Sequence, residues 1–265
     1  MEQTLEKSLD SFMSVTAQSK VAIIVPLFGY WKDMASQQLD KNTLKLVLDR
    51  IYSSAHQAYV IFVADKRVPD EVANLLVIRA QGLNTQGVMV DVGASYGDYI
   101  RAGMKLALEK DAQYIVNINP WILLQHNAID ILVDRVNRND AKIVSGYDLR
   151  GSIEPVDFVT TSFQIPKEER DLSLDCCAMK RYAAELIGID SHYKTHLFLA
   201  RDMWQSMYTQ GFDVITSQRV PIYSLDVDWS EMESEADFEA DKAYFIGKWK
   251  FDPSIVYVKG NSKKE

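Results

Sequence analysis

The chain has few of the residues that mark specialised protein classes. Only two cysteines occur in 265 residues, and they are neighbours, Cys176 and Cys177. Adjacent cysteines seldom close on each other because the bridge is strained. That removes a disulfide framework and fits a reducing compartment. No apolar run approaches the roughly 18 residues that a membrane helix needs. Positive charge is also short: 29 Lys and Arg face 37 Asp and Glu, for a formal net charge of −8. Such a balance argues against a general nucleic-acid surface. No G-x-G-x-x-G and no Walker A loop is present, so dinucleotide dehydrogenases and P-loop enzymes lose their main signature. There is no internal repeat and no low-complexity linker. The opening residues, MEQTLEKSLDSFMSV, are acidic and broken by charges, unlike a secretory signal. The expected location is cytoplasmic.

What is present is ordinary globular composition, 47% apolar and 25% charged, with enough apolar residues for a sizeable core. The central stretch is Gln113 to Ile122, QYIVNINPWI. It predicts a short buried strand, Tyr114 to Ile118, that stops at a polar tip, Asn119-Pro120-Trp121. Proline cannot donate to a sheet ladder, so the strand ends there. Similar runs predict strands over Val21–Val25, Tyr59–Val63, Val88–Val92 and Lys142–Tyr147. Between them, Leu44, Val47, Leu48 and Ile51 recur at helical spacing, as do Ile100, Gly103, Met104 and Ala107, and then Leu124, Ala128, Ile131 and Leu132. Pro69 with Asp70 and Glu71 opens a further helix. Alternation from residue 20 to 147 predicts an α/β fold with a mainly parallel sheet and helices on both faces.

After residue 147 the rhythm changes. A loop-rich stretch leads to a helix from about Ala178 that stops at Gly188. A second helix, with Leu199, Met203 and Met207 on one face, closes at Gly211. A late strand, RVPIYSLDVDW, and a helix over 231–250 follow. Residues 1–19 place Leu5, Leu9, Phe12 and Met13 on one helical face, a docking arm through which two copies could associate. In an open α/β sheet, ligands bind beyond the carboxyl ends of the strands. The tip at Asn119 is therefore the first place to look for a site.

Five segments in order carry a resemblance: VAIIVPLFGYWKDM, VIFVADKR, GDYIRAGMKLALEKDAQYIVNINP, CCAMKRYAAELIGID and YFIGKWK. Together, from about Val21 to Lys250, they resemble the family-2 glycosyltransferases, which have the GT-A fold. The resemblance implies a Rossmann-like central sheet flanked by helices, with a smaller mixed acceptor-side region. It divides residues 20–265 into a nucleotide-sugar half over 20–147, an acceptor half over 148–250 and a C-terminal strand and tail over 251–265. It implies inverting transfer of a sugar from a nucleotide-sugar donor, UDP-linked by analogy, to a hydroxyl on a saccharide, lipid or protein acceptor.

The candidate site residues follow. Pro26, Phe28 and Tyr30 could wall a nucleobase, since aromatic faces stack on bases, or could simply pack a loop. Asp65, just past a buried strand, is the aspartate that the resemblance sets against the base or ribose. Arg101 could face a phosphate. The family's Asp-x-Asp carboxylates hold a divalent cation, Mg or Mn, and hard cations want anionic oxygen. Here that position reads Asn117-Ile118-Asn119-Pro120-Trp121, so the amides either lend dipoles to the donor or satisfy loop backbone. A literal Asp-x-Asp stands instead at Asp226 and Asp228, either a relocated metal site or an acidic strand end. The family's Glu-Asp pair falls on Leu199 and Ala200. Asp202 is the nearest carboxylate for a general base, and His196 is a second candidate. His192 and His196 also have a spacing that can suit a metal on a helix. These departures leave a second reading, a catalytically degenerate GT-A-fold protein that binds or assembles. A nucleotidyltransferase is a third.

Overall fold

Val21–Pro26, β1, has no polar side chain, and Ala22 to Val25 are fully buried. Successive side chains point to opposite faces. Ile23 and Val25 therefore enter one core and Ala22 and Ile24 the other. A strand apolar on both faces must lie inside a sheet covered on both sides. A computed structural model, which describes residues 20–29, 41–54, 58–80, 84–138, 143–149, 173–211, 214–225 and 233–250, places it there.

Among the described residues the sheet has eight strands in the order β3-β2-β1-β4-β7-β6-β8-β5. β2 is Tyr59–Ala64, β3 Thr85–Met89, β4 Tyr114–Ile118, β5 Ile122–Leu124, β6 Ile143–Asp148, β7 Cys176–Lys180 and β8 Val214–Ser224. The helices are α1 Lys41–Ser54, α2 Asp70–Ala80, α3 Tyr96–Glu109, α4 Ala128–Arg138, α5 Arg181–Ile187, α6 His196–Thr209 and α7 Glu235–Trp249. β3, β2, β1 and β4 run parallel, with Ala22 beside Tyr59 on one side and Ile115 on the other. Their carboxyl ends therefore share one rim. The N-terminal helix expected over 1–19 lies outside the described residues.

Four local expectations change. The late strand expected over RVPIYSLDVDW is β8, Val214–Ser224, which begins earlier and ends before Asp226. β3 begins at Thr85 rather than Val88, because its register against β2 runs from Val60↔Thr85 to Ala64↔Met89. Past Val90 the chain must turn, and Gly93 supplies the left-handed residue, φ 90°. β5 is an added short strand after the tip. The largest change is Cys176–Lys180, which forms a strand where a helix from about Ala178 was expected. It runs antiparallel between β4 and β6, and Cys176 to Met179 are buried. The helix occupies only Arg181–Ile187 and stops at Gly188, φ 55°. A vacant place between two strands overrides the helical propensity of Ala and Met.

α3 crosses the sheet at close range. A Cβ on Gly103 would lie 2.5 Å from Ile24 Cγ2 and 3.2 Å from Val63 Cγ2, so glycine is required by contact rather than by backbone angle. Tyr96, Tyr99, Ile100, Met104 and Ala107 bury the inner face, each large side chain contributing about 1.5–3 kcal/mol. Its first turn is closed by a capping box between Ser95 and Asp98.

Candidate functional site at the strand rim

The rim is built from the ends of β1, β2 and β4 and the starts of α3, β7 and α6. Phe28, after β1, meets Tyr96 edge-on at 5.7 Å and Tyr99 at 5.4 Å between ring centroids. Pro26 is buried as the last residue of β1. Asp65, after β2, is buried beside Tyr99 and grips Arg67. Oδ1 accepts the Arg67 amide at 2.7 Å, and Oδ2 accepts Nε at 2.8 Å together with a guanidinium NH2 group. Burial pushes the Asp65 carboxyl up, but the Arg67 hydrogen bonds outweigh it, so the group ends below its usual range. Burial and the Asp65 charge push the Tyr99 phenol up.

At the β4 tip the side chains form one relay. Asn117 Nδ2 donates to the Leu174 carbonyl and, at 3.3 Å, to the Tyr96 hydroxyl. Tyr96 donates to Asn119 Oδ1 at 2.8 Å. Asn119 Nδ2 donates to Asp175 Oδ1 at 2.7 Å, and the Asn119 amide donates to the Asp175 carbonyl at 2.7 Å. Ser173 Oγ donates to Asp175 Oδ2 at 2.9 Å. Burial, with the Asp175 charge adding, pushes the Tyr96 phenol far up, so it stays a donor. Trp121 turns inward into the core, and its carbonyl accepts the Leu225 amide at 3.0 Å. That inward tryptophan holds the tip in place.

Asp175 carries no sequence signal. It reaches Asn119 only because β7 pairs with β4, setting Ile118 opposite Cys176. The two cysteines are buried strand residues, and burial pushes the Cys177 thiol up to about 12.

The remaining candidates separate. Tyr96 brings His196 to the rim, its ring perpendicular to the imidazole at 6.4 Å. His196 Nδ1 lies 3.2 and 3.1 Å from the two Glu233 oxygens, and its backbone amide donates to Oε1 at 2.6 Å. His192 instead pairs with Asp190 at 3.0 Å and stacks on Tyr244, so each imidazole has its own carboxylate. Asp202 is 2% exposed. It accepts from Tyr193 at 3.0 Å, Lys248 at 3.0 Å and Trp249 Nε1 at 2.7 Å, which ties α6 to α7. Arg101 pairs with Asp98, donates to the Ile189 carbonyl at 3.3 Å and borders a groove of about 540 Å³ between α3 and α5. Tyr30, Asp226 and Asp228 lie outside the described residues.

The β4 tip by itself does not fit a divalent cation. It presents one carboxylate, Asp175, already bonded to an amide and a hydroxyl, where a hard ion wants several anionic oxygens. Among the described residues no group of three His, Cys, Asp or Glu is placed to hold a metal. No described helix is long and apolar enough to cross a membrane.

No protein-family model matches the chain, and no curated protein matches it by sequence. Solved structures do. Staphylococcus aureus TarS, residues 1–349 in complex with UDP-GlcNAc, superposes with a TM-score of 0.60 at 11% identity over 88% of this chain and 67% of that one. A longer structure of S. aureus TarS gives 0.61 at 10% identity, and this chain spans 40% of it. The mannosyltransferase PcManGT from Pyrobaculum calidifontis, solved with GDP-Man and Mn2+, gives 0.52 at 17% identity over 78% of this chain and 56% of that one. The architecture is the GT-A fold of glycosyltransferases. The chain is a mostly parallel sheet with flanking helices of that type, and at these identities the likeness is one of fold.

Proposed function

We propose that the chain is a glycosyltransferase of the family-2 kind, transferring a sugar with inversion from a UDP-linked donor to a hydroxyl of a saccharide, lipid or protein acceptor. The observation that carries this reading is the continuous rim from Asp65 through Tyr99, Phe28, Tyr96 and Asn119 to Asp175, beyond the carboxyl ends of parallel strands. The UDP-GlcNAc, UDP and GDP-Man complexes of the similar structures support it. Pro26 and Phe28 close the β1 end of that rim, and Tyr30 is assigned with them to the base. Asp65, buried with both oxygens on Arg67, serves the base by fixing the half-buried Arg67 guanidinium, which supplies donors. Arg101, assigned to the diphosphate in this reading, is held by Asp98 beside the α3–α5 groove. Asn117 and Asn119, with Asp175, orient the sugar. Asp226 and Asp228, the literal Asp-x-Asp, are the residues assigned a cation in this reading. His196 takes the base role in preference to Asp202, whose three donors leave it an anchor between helices.

A second reading, a GT-A-fold binding or assembly protein without transfer, is favoured by the amide–carboxylate pair Asn119–Asp175 at the tip. Calorimetric titration with UDP, GDP and their sugars, with and without Mn2+, separates the two. UDP-sugar binding with turnover supports the transferase. Binding without hydrolysis or transfer supports the second reading, and no nucleotide binding at all overturns the first.

A further inference from the structure

The start of α6 is held by acids from far along the chain. Asp241 in α7 accepts from the Lys194 and Thr195 amides and from the Thr195 hydroxyl, at 2.9, 2.7 and 2.7 Å. That arrangement satisfies the open amides a helix start leaves exposed. Glu233 accepts the next amide, that of His196, and then does something capping does not require. It also reaches the His196 ring, Oε1 at 3.2 Å and Oε2 at 3.1 Å from Nδ1. Its side chain is 8% exposed and that of His196 is 23% exposed, so the pair is shielded from solvent yet not sealed. The imidazole stands one aromatic ring from the β4 tip, across Tyr96.

We propose that Glu233 is the positioning residue for His196 in the transfer reaction; this rests on the transferase reading above. A carboxylate on Nδ1 accepts a proton held there, which places the lone pair on Nε2. The acceptor O–H proton then moves to Nε2 as the acceptor oxygen bonds to the anomeric carbon. The bond from that carbon to the diphosphate oxygen breaks, and the nucleoside diphosphate leaves with the electron pair. Glu233 stabilises the imidazolium so formed and is not itself protonated.

The test is Glu233→Gln in the full chain. The glutamine oxygen can still accept the His196 amide, so the start of α6 is kept. Its NH2 group then faces Nδ1 and donates to it, which reverses the tautomer. Nitrogen-15 NMR of the ring, assigned with His196→Asn, is expected to show Nδ1–H in the parent and Nε2–H in Glu233→Gln. The turnover number is expected to fall roughly 100-fold or more, with KM for the donor within about twofold, since no contact to the donor is lost. Glu233→Ala is the second variant, with loss of the Nδ1–H preference and the same drop. An unchanged tautomer in both variants overturns the proposal, as does an altered tautomer with unchanged turnover. If the parent binds no nucleotide, the transferase reading fails. The NMR arm still decides whether Glu233 sets the ring.

Discussion

At the scale of single residues, the site is decided by which carboxylate meets which donor. Asp202 and His196 both belong to α6, yet Asp202 is occupied by Tyr193, Lys248 and Trp249 while His196 reaches the rim. Asp202→Asn is expected to cost about 1–3 kcal/mol, because it weakens the charge-assisted hydrogen bonds from Tyr193, Lys248 and Trp249, and to leave nucleotide binding unchanged. Urea unfolding and calorimetry check the two parts. Asp65 has its carboxyl held below the usual range. Its contribution is therefore present above the pKa it has in the unfolded chain and is lost as pH falls through the lower folded value. Asp65→Asn should unfold more easily at pH 7 and show a smaller loss of stability between pH 5 and about pH 3 than the parent. Asn119→Asp sets a second carboxylate against Asp175, where the amide now bonds at 2.7 Å. Like charges at that range repel. The variant should melt earlier than the parent in chelator and gain more from added Mn2+, as followed by differential scanning fluorimetry.

At the scale of elements, close approach and strand insertion matter more than propensity. α3 lies where only a glycine clears Ile24. Gly103→Ala should cost about 1–3 kcal/mol despite improving helix propensity, because an added methyl in a packed contact forces a shift. Equilibrium unfolding measures it, and a neutral or stabilising result would show that α3 can lift without penalty. β7 is the other decisive element. By entering antiparallel between β4 and β6 it carries Asp175 to the tip and turns Cys176 and Cys177 into sheet interior. α7 then clamps α6: Lys248 bridges Asp190 at 2.8 Å and Asp202 at 3.0 Å, while Asp241 and Glu233 hold the first turn of α6.

At the scale of the whole molecule, the parallel strands gather their carboxyl ends on one side, and two cores cover the two faces of the sheet. A ligand that binds such a rim stabilises the folded state alone. UDP at about 100 times its dissociation constant should add about 2.7 kcal/mol to the unfolding free energy. A rise in the thermal midpoint with UDP and none with uridine would place the recognition on the diphosphate. No rise with any nucleotide would count against the rim as a nucleotide site.

The sequence by itself determined the parallel half. Apolar runs such as Val21–Val25 and Tyr59–Val63 are satisfied by burial on both faces, and Pro120 lacks the N–H that would carry β4 further, whereas Pro26 stays paired as the last residue of β1. It also pointed to Asp65 and Asn119 just past strands, and to Asn117 within one, because such positions follow from local pattern; His192 and His196, paired by spacing on an expected helix, part at its start, with only His196 inside it. Asp65 finds Arg67 two residues on, a local contact, but only the tertiary structure decided the other partners: Asp175 for Asn119, Glu233 for His196, and three fold-holding donors for Asp202. Glu233 and Asp175 are 37 and 56 residues from the groups they bond. Hydrogen bonding across such separations depends on how strands and helices are ordered in space, which no local periodicity encodes.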